Sequence, residues 1–435
     1  MNIAIIGAGA VGLTAGHRLA AGGHHVDVYD SRSGIGGLTG TVQIGGTPIE
    51  RIYHHVFTSD GHILALLDEL GLGADMEWHS PKSGLYLHRG LHPFSGPMDL
   101  LRFPELPFHQ RISMGLLVLR ARFIRNWQAL EHTRARDWLI RHAGQAVYDR
   151  IWGPLIRSKF DQDADDISAV WIWNKFKLRG STRGKDVAAE AFGYLKGSYG
   201  RLYDALAMRI QEQGGKLRMG ETVTKLLPLA DGGFHLSTNS MPDKRYDCVL
   251  MTGSPEQLMA LAGDALSPEY MAACRQMRYK ANLCAMLELD TSLSPYYWIT
   301  IADEDIPFVL VIEHTNLVPA ARYGTHIAYL SRYLDASDPL FSASDEMVEE
   351  RFLKGLETVF PAFSRSSVKR IHLERERFAQ PVVGLQHGAK IPSTATSIPG
   401  LFLASMAQIY PEDRGQNYAV RMGEEAAQRI IGSIR

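Results

Sequence analysis

Residues 1–40 read MNIAIIGAGAVGLTAGHRLAAGGHHVDVYDSRSGIGGLTG, and the reading of this stretch decides the fold. Asn2 to Ile6 is an apolar run of strand length. Gly7-Ala8-Gly9-Ala10-Val11-Gly12 follows at once, Leu13 to Ala21 reads as a helix, and Val26 to Asp30 reads as a second strand ending in a carboxylate. A dinucleotide site needs each part. Gly7 allows the tight turn, Gly9 lets backbone approach a pyrophosphate, and Gly12 lets helix pack on strand. At Ala10 and Val11 the helix N-terminus offers free N–H groups and a partial positive charge to phosphates. Asp30, with Ser31 beside it, stands where a carboxylate can accept from ribose hydroxyls. A glycine turn alone is weak, since a purely structural βαβ turn would look similar. The full order of strand, turn, helix, strand and acid favours nucleotide binding.

A second glycine pair follows the acid, in Ser31-Arg32-Ser33-Gly34-Ile35-Gly36-Gly37-Leu38. This resembles the extended dinucleotide motif of FAD enzymes in the glutathione reductase and amine oxidase superfamily, which NAD-only domains generally lack. The resemblance implies FAD as cofactor, with Gly36, Gly37 and Leu38 near it. The superfamily usually has Glu where Asp30 stands and often Arg or Lys where Leu38 stands. The second change removes a phosphate contact.

Composition excludes several classes. The 435 residues are 45% hydrophobic and 21% charged, with net charge −1, as expected of a two-domain soluble enzyme. No long basic run suggests nucleic acid as a partner. Three cysteines, Cys248, Cys274 and Cys284, have no paired spacing. That argues for a reducing, cytoplasmic setting and against a metal site. The sequence opens directly on the first strand, so no signal peptide is expected, and no apolar window is long enough to span a bilayer.

Thr41 to Ile49 alternates around Gly45-Gly46, a hairpin signal. In Glu50-Arg51-Ile52-Tyr53-His54-His55, a side chain from Arg51, Tyr53, His54 or His55 is expected to reach cofactor or substrate. Adjacent histidines on a strand point to opposite faces, so at most one can serve. Ile112 to Leu130 reads as an amphipathic, basic helix with Leu116, Leu119, Phe123 and Trp127 on one stripe. Such a helix can lie on a membrane surface; an ordinary domain helix with a solvated cationic face is the commoner case. Helical signals persist to about residue 180. Further on, Glu313-His314-Thr315-Asn316 ends an apolar strand in four polar groups. The cluster reads either as an active-site group or as a strand-to-loop turn.

Two later segments also resemble the superfamily. Lys216 to Leu226 resembles the strand that passes the adenine, which implies a backbone hydrogen bond at Val223. Leu401 to Ser405, the loop through Tyr410, Asp413 and Arg414, and the helix from Gln416 and Asn417 resemble the last strand, loop and helix that point at the flavin. The family usually has Gly-Asp or Gly-Glu where Ser405-Met406 stand, so the role of that acid is either vacant here or taken by Asp413. Together these segments resemble the flavin amine oxidase superfamily, which includes protoporphyrinogen oxidase, phytoene desaturase, monoamine oxidase and UDP-galactopyranose mutase. Two departures weaken simple amine oxidation. Many amine oxidases have lysine where Cys284 stands and an aromatic cage residue about where Gly415 falls.

The expected fold class is α/β. A Rossmann-like FAD-binding domain of the glutathione reductase type comprises residues 1–75, 190–265 and 386–435. An interleaved α+β substrate domain comprises 76–189 and 266–385, with a helical insertion at about 110–180. The expected activity is FAD-dependent oxidation of a small-molecule C–H, with catalytic candidates Tyr53, His54, Glu313, His314 and Tyr410. The rival is a non-redox sugar-nucleotide isomerase, which would need pyrophosphate-binding cations such as Arg179, Arg183 and Arg332.

Overall fold

The computed structural model describes residues 1–181, 191–240 and 243–433, without the side chains of 178–181 and 264. Its first layer is a five-stranded parallel sheet in the order Lys216–Met219, His25–Asp30, Asn2–Ile6, Cys248–Met251, Leu401–Leu403. The inner strands Asn2–Ile6 and Cys248–Met251 and the edge strand Leu401–Leu403 are buried apolar runs, as expected where a parallel sheet is covered on both faces, whereas the edge strand Lys216–Met219 is only partly buried. Helix Ala10–Ala21 follows the first strand and packs under helices Gly200–Glu212 and Gln416–Ser433. Close packing requires small residues there. A Cβ on Gly16 would lie 2.9 Å from the Ile210 methyl, and one on Gly423 would lie 2.6 Å from the Val11 carbonyl.

The second layer is a seven-stranded sheet in the order Val368–Pro381, Tyr279–Leu289, His326–Leu334, Leu310–Glu313, Trp298–Ile301, Ser83–Leu87, Gly90–Pro93. It is antiparallel except where Trp298–Ile301 meets Ser83–Leu87. The two faces of this sheet bury different neighbours. Along His326–Leu334, Tyr329 and Tyr333 belong to the core shared with the five-stranded sheet, whereas Leu330 and Leu334 pack under helix Asp345–Val359. The hairpin at Gly45-Gly46 forms as its sequence indicates, with both glycines at positive φ, 55° and 80°.

A helical unit between residues 97 and 181 has its own core, including Leu117, Trp138, Ile156, Phe160, Ile172 and Trp173. The helix expected over 112–130 runs instead over Phe108–Phe123, and a 3₁₀ segment follows at Trp127–His132. Pro107 supplies the early start as its N-cap. The stripe of Leu116, Leu119 and Phe123 is exposed, not packed.

Candidate cofactor and substrate site

The first glycine turn is shaped by contacts that admit no side chain. Gly7 has φ 114° and its N–H donates to the Tyr29 carbonyl at 2.7 Å. A Cβ on Gly12 would lie 1.9 Å from the Gly7 carbonyl oxygen. The second glycine pair folds back on the first. Gly36 N–H donates to the Ala8 carbonyl at 2.9 Å, and a Cβ on Gly37 would lie 3.1 Å from Gly9 Cα. Asp30 staples both loops, accepting from Ala8 N–H at 2.8 Å and from Arg32 N–H at 2.9 Å.

A cavity of about 550 Å³ opens on these loops. That is within the roughly 300–1,000 Å³ usual for small-molecule sites. Gly7, Gly9, Ala10, Val11, Asp30, Ser31, Gly36, Gly37 and Leu38 line it, and so do Val223, Ser405, Arg414, Gln416 and His54. Gly12 stands behind the wall. Gln416 tests the fit to a dinucleotide. Its Oε1 accepts from the Tyr203 hydroxyl at 2.7 Å, while its buried Nε2 has no hydrogen-bond partner among the described residues. A donor is thus left over beside a bare glycine backbone and a carboxylate, which suits a ligand carrying phosphates and ribose.

Two expected cofactor residues are committed elsewhere. The Asn417 side chain accepts from His62 N–H at 2.9 Å and Ile63 N–H at 3.2 Å, capping helix Gly61–Glu69. Asp413 pairs with Lys175, lies 4.0 Å from Lys159 and accepts from Gln380 at 3.1 Å. Burial opposes its ionisation, but Lys175, Lys159 and Arg414 outweigh it and hold its pKa well below the carboxylate range.

Of the adjacent histidines, His54 lines the cavity. His55 bonds the Tyr297 hydroxyl at 2.9 Å and packs among Phe57, Phe192 and Trp298. Burial pushes His54 down to about 4, against its contact with the Ile52 carbonyl, and nearby Arg414 lowers it further. Its Nδ1 lies 2.7 Å from that carbonyl, which can only accept, so Nδ1 carries the proton and Nε2 is the free acceptor. Tyr53 sits behind, edge-on to Trp298 and Tyr329, and burial raises its pKa well above the usual tyrosine range. Arg414 donates to Gln380 Oε1 at 3.1 Å and to the Tyr333 hydroxyl at 2.6 Å.

Tyr53 does not line the cavity, and neither do the other three catalytic candidates. Glu313 is fully buried and anchors a loop, accepting from the Ser292 hydroxyl, Leu293 N–H at 2.8 Å and Ser294 N–H at 2.9 Å. His314 bonds the Tyr323 hydroxyl at 2.9 Å among the rings of Tyr194, Tyr323 and Tyr329, and burial pushes it down to about 3. The strand therefore ends in polar groups because it must hold the 292–294 loop and fill an aromatic pocket. Tyr410 donates to Glu131 at 2.7 Å and packs on Trp127 and His387. Among the cations suggested for a pyrophosphate, Arg332 alternates with Tyr333 and so shares the face of Leu330 and Leu334, away from the core shared with the five-stranded sheet. Arg183 and the side chain of Arg179 lie outside the described residues.

The chain matches the family described as flavin containing amine oxidoreductase over residues 11–431. It belongs to that family. It is 25% identical over 272 residues to a "Probable zeta-carotene desaturase" of Synechococcus elongatus, covering 53% of this chain and 55% of that protein. It is 26% identical over 188 residues to the mitochondrial protoporphyrinogen oxidase of Nicotiana tabacum, covering 41% of this chain and 37% of that protein. The matched region thus spans about half or less of those relatives. Cyclohexylamine oxidase from Brevibacterium oxydans IH-35A has the same fold, with a TM-score of 0.75 at 16% identity over 100% of this chain and 99% of that one.

Membership of the flavin amine oxidoreductase family implies a flavin cofactor. Cys284 is fully buried. Gly415 lines the cavity, and a Cβ there would meet no atom within 4 Å. Sequence reading missed Thr252, Ser254, Tyr279, Glu376 and Phe378 in the cavity wall. Thr252 and Ser254 carried a signal. They follow the strand that ends at Met251, on the carboxyl edge of a parallel sheet where such sites form. Glu376 and Phe378 come from the strand Val368–Pro381, whose charged, weakly alternating sequence gave none.

Proposed function

We propose that the chain is an FAD-dependent oxidoreductase that takes hydride from a C–H bond of a small molecule, by desaturation or by C–N or C–O oxidation. The observation that supports this most is the shared cavity wall. The glycine backbone, Asp30 and the unpartnered Gln416 amide line the same space as His54 and Arg414. FAD, when bound, supplies the hydride acceptor. Gly7, Gly9, Gly36 and Gly37 would give its phosphates backbone access, Asp30 would accept from its ribose, and Gln416 Nε2 would donate to it. His54 enters the reaction neutral, with Nε2 free to accept a proton or hydrogen bond from substrate. Arg414, held by Gln380 and Tyr333, offers fixed positive charge to an anionic group. Cys284 and Gly415, in place of the lysine and aromatic cage residue of many amine oxidases, favour a desaturase-like substrate over a simple amine.

The proposed FAD-binding domain comprises residues 1–75, 190–265 and 386–435, and the proposed substrate domain comprises 76–189 and 266–385. The three buried, unpaired cysteines suit a reducing, cytoplasmic setting. The sugar-nucleotide isomerase reading has less support, because Arg332 faces away from the core shared with the five-stranded sheet. The test is an anaerobic screen of candidate substrates against the purified, FAD-loaded protein, read by flavin absorbance. Bleaching by a substrate, with net consumption of an electron acceptor on readmission, is the expected result. A colourless protein that binds NAD and ignores FAD, or turnover without net electron transfer, would overturn the proposal.

A further inference from the structure

Helix Phe108–Phe123 is apolar on two opposite sides. Met114, Leu117 and Ala121 are buried in the helical unit. Phe108, Ile112, Leu116, Leu119 and Phe123 are 66%, 40%, 47%, 49% and 81% exposed. At about 100° per residue these five fall within an arc of about 80°, roughly opposite the buried side. The preceding helix, Pro97–Arg102, adds Met98 and Leu101, 56% and 39% exposed. Among the described residues, 12 large hydrophobic side chains are exposed, and seven of them are these. Single exposed apolar residues are ordinary, but a continuous ridge of them is not.

Between Glu105 and Glu131 the charges are one-sided. From Leu106 to Leu130 the sequence has Arg111, Arg120, Arg122 and Arg125 and no Asp or Glu, in a chain of net charge −1. Arg120, Arg122 and Arg125 are exposed. On the helical wheel Arg111 and Arg122 flank the apolar arc on one side and Arg120 on the other. This disposition argues against a second copy as the occupant. Two ridges meeting face to face would bring both sets of arginines together, and the nearest carboxylates are already engaged, Asp99 by the Ser95 and Gly96 N–H groups, Glu105 by His88 and Glu131 by the Tyr410 hydroxyl. An anionic bilayer surface satisfies both features, since acyl chains receive the ridge and phosphates receive the arginines. No described helix is long and apolar enough to cross a membrane, so the attachment is to one surface.

We propose that the exposed face of Phe108–Phe123, with Met98 and Leu101 beside it, docks the protein on anionic lipid bilayers. The test is flotation of the full, flavin-loaded chain with vesicles of equimolar phosphatidylcholine and phosphatidylglycerol, beside vesicles of phosphatidylcholine alone. The chain should float with the anionic vesicles, less with neutral ones, and less again as salt is raised. The triple variant Leu116→Gln, Leu119→Gln, Phe123→Ser should partition at least about tenfold less, because three apolar side chains no longer enter the acyl boundary. Arg122→Gln with Arg125→Gln should reduce binding to anionic vesicles and leave binding to neutral ones unchanged. All five positions are exposed, so flavin content and melting temperature should match wild type. If they do not, Phe108→Ser at the far end of the ridge serves as the second variant. Wild-type protein that stays with the protein-only fraction would overturn the proposal. So would variants that float as well as wild type, or a wild-type dimer that the triple variant dissociates while neither form binds vesicles.

Discussion

Replacing Glu50 by glutamine should remove a pH dependence that the wild-type fold carries. Glu50 ends the strand Thr47–Glu50 and is 1% exposed. The Tyr194 hydroxyl donates to it at 2.7 Å and the Tyr199 N–H at 2.6 Å. Burial outweighs these bonds and pushes its carboxyl up from 4.5 to about 7. The folded protein therefore holds a proton that the unfolded chain releases. That contribution is fully present below about pH 4.5 and is lost as pH rises through about 7. At about 1.4 kcal/mol for each tenfold change in proton affinity, the loss is of order 3 kcal/mol. The introduced glutamine would mimic the protonated side chain. Its oxygen can accept from Tyr199 N–H, and its amide can donate to the Tyr194 oxygen, since a hydroxyl rotates to suit. Urea denaturation at pH 5 and pH 8 measures the effect. The Glu50→Gln variant should lie within about 1 kcal/mol of wild type at pH 5 and exceed it by up to about 3 kcal/mol at pH 8. A variant whose stability runs parallel to wild type across that range would refute the reasoning, as the buried carboxyl would then not be the titrating group.

Gly9→Val should abolish flavin retention yet leave the melting temperature of the flavin-free protein near wild type. The nearest atom to a Cβ at Gly9 is 3.8 Å away, so the side chain obstructs the ligand's approach and not the fold; a clear drop in apo stability would contradict this. Glu313→Gln should cost about 1–3 kcal/mol, because the new amide faces a backbone N–H that the carboxylate now satisfies. Flavin content per folded molecule should stay constant, and an unchanged urea midpoint would show that the loop does not depend on Glu313. The flavin should leave the protein on denaturation, because no cysteine follows Cys284 for thioether attachment; yellow colour remaining on the precipitated chain would disprove it.

The glycine loops that line the cavity were legible because their constraints are local. A glycine needed for close approach, a carboxylate at a strand end and a helix starting after a tight turn all leave marks within a few residues. The reaction side was less legible because it is assembled from distant segments whose residue types have other uses. Glu313 and His314 showed the difficulty. A buried carboxylate and a histidine at a strand end have the same sequence signature whether they meet a substrate or a loop. Only the Ser292 to Ser294 donors and the Tyr323 hydroxyl reveal which partner each has. The helix at 108–123 misled in the opposite sense. Its apolar stripe read as the packed side, and the structure buries the side carrying Met114, Leu117 and Ala121 instead.

Asp413 shows how a residue outside the cavity can still set what the cavity presents. Its Oδ1 accepts from Gln380 Nε2 at 3.1 Å, and a carboxylate can only accept. That fixes which end of the Gln380 amide faces the other way. Gln380 Oε1 is therefore available to Arg414, whose Nε reaches it at 3.1 Å while the Tyr333 hydroxyl takes a second guanidinium nitrogen. Adjacent residues of one loop are thus joined through a strand of the seven-stranded sheet, and Arg414 is held at the cavity wall by partners that cannot rotate independently. The other Asp413 oxygen faces Lys175 and Lys159, both from the helical unit. Three cations share one carboxylate, and burial with Lys175 and Arg414 depresses the Lys159 pKa well below the usual lysine range. A shift of the helical unit would change the pairing of Asp413, and through Gln380 the orientation of Arg414. The position of the helices is in this way linked to the charge presented at the cavity wall.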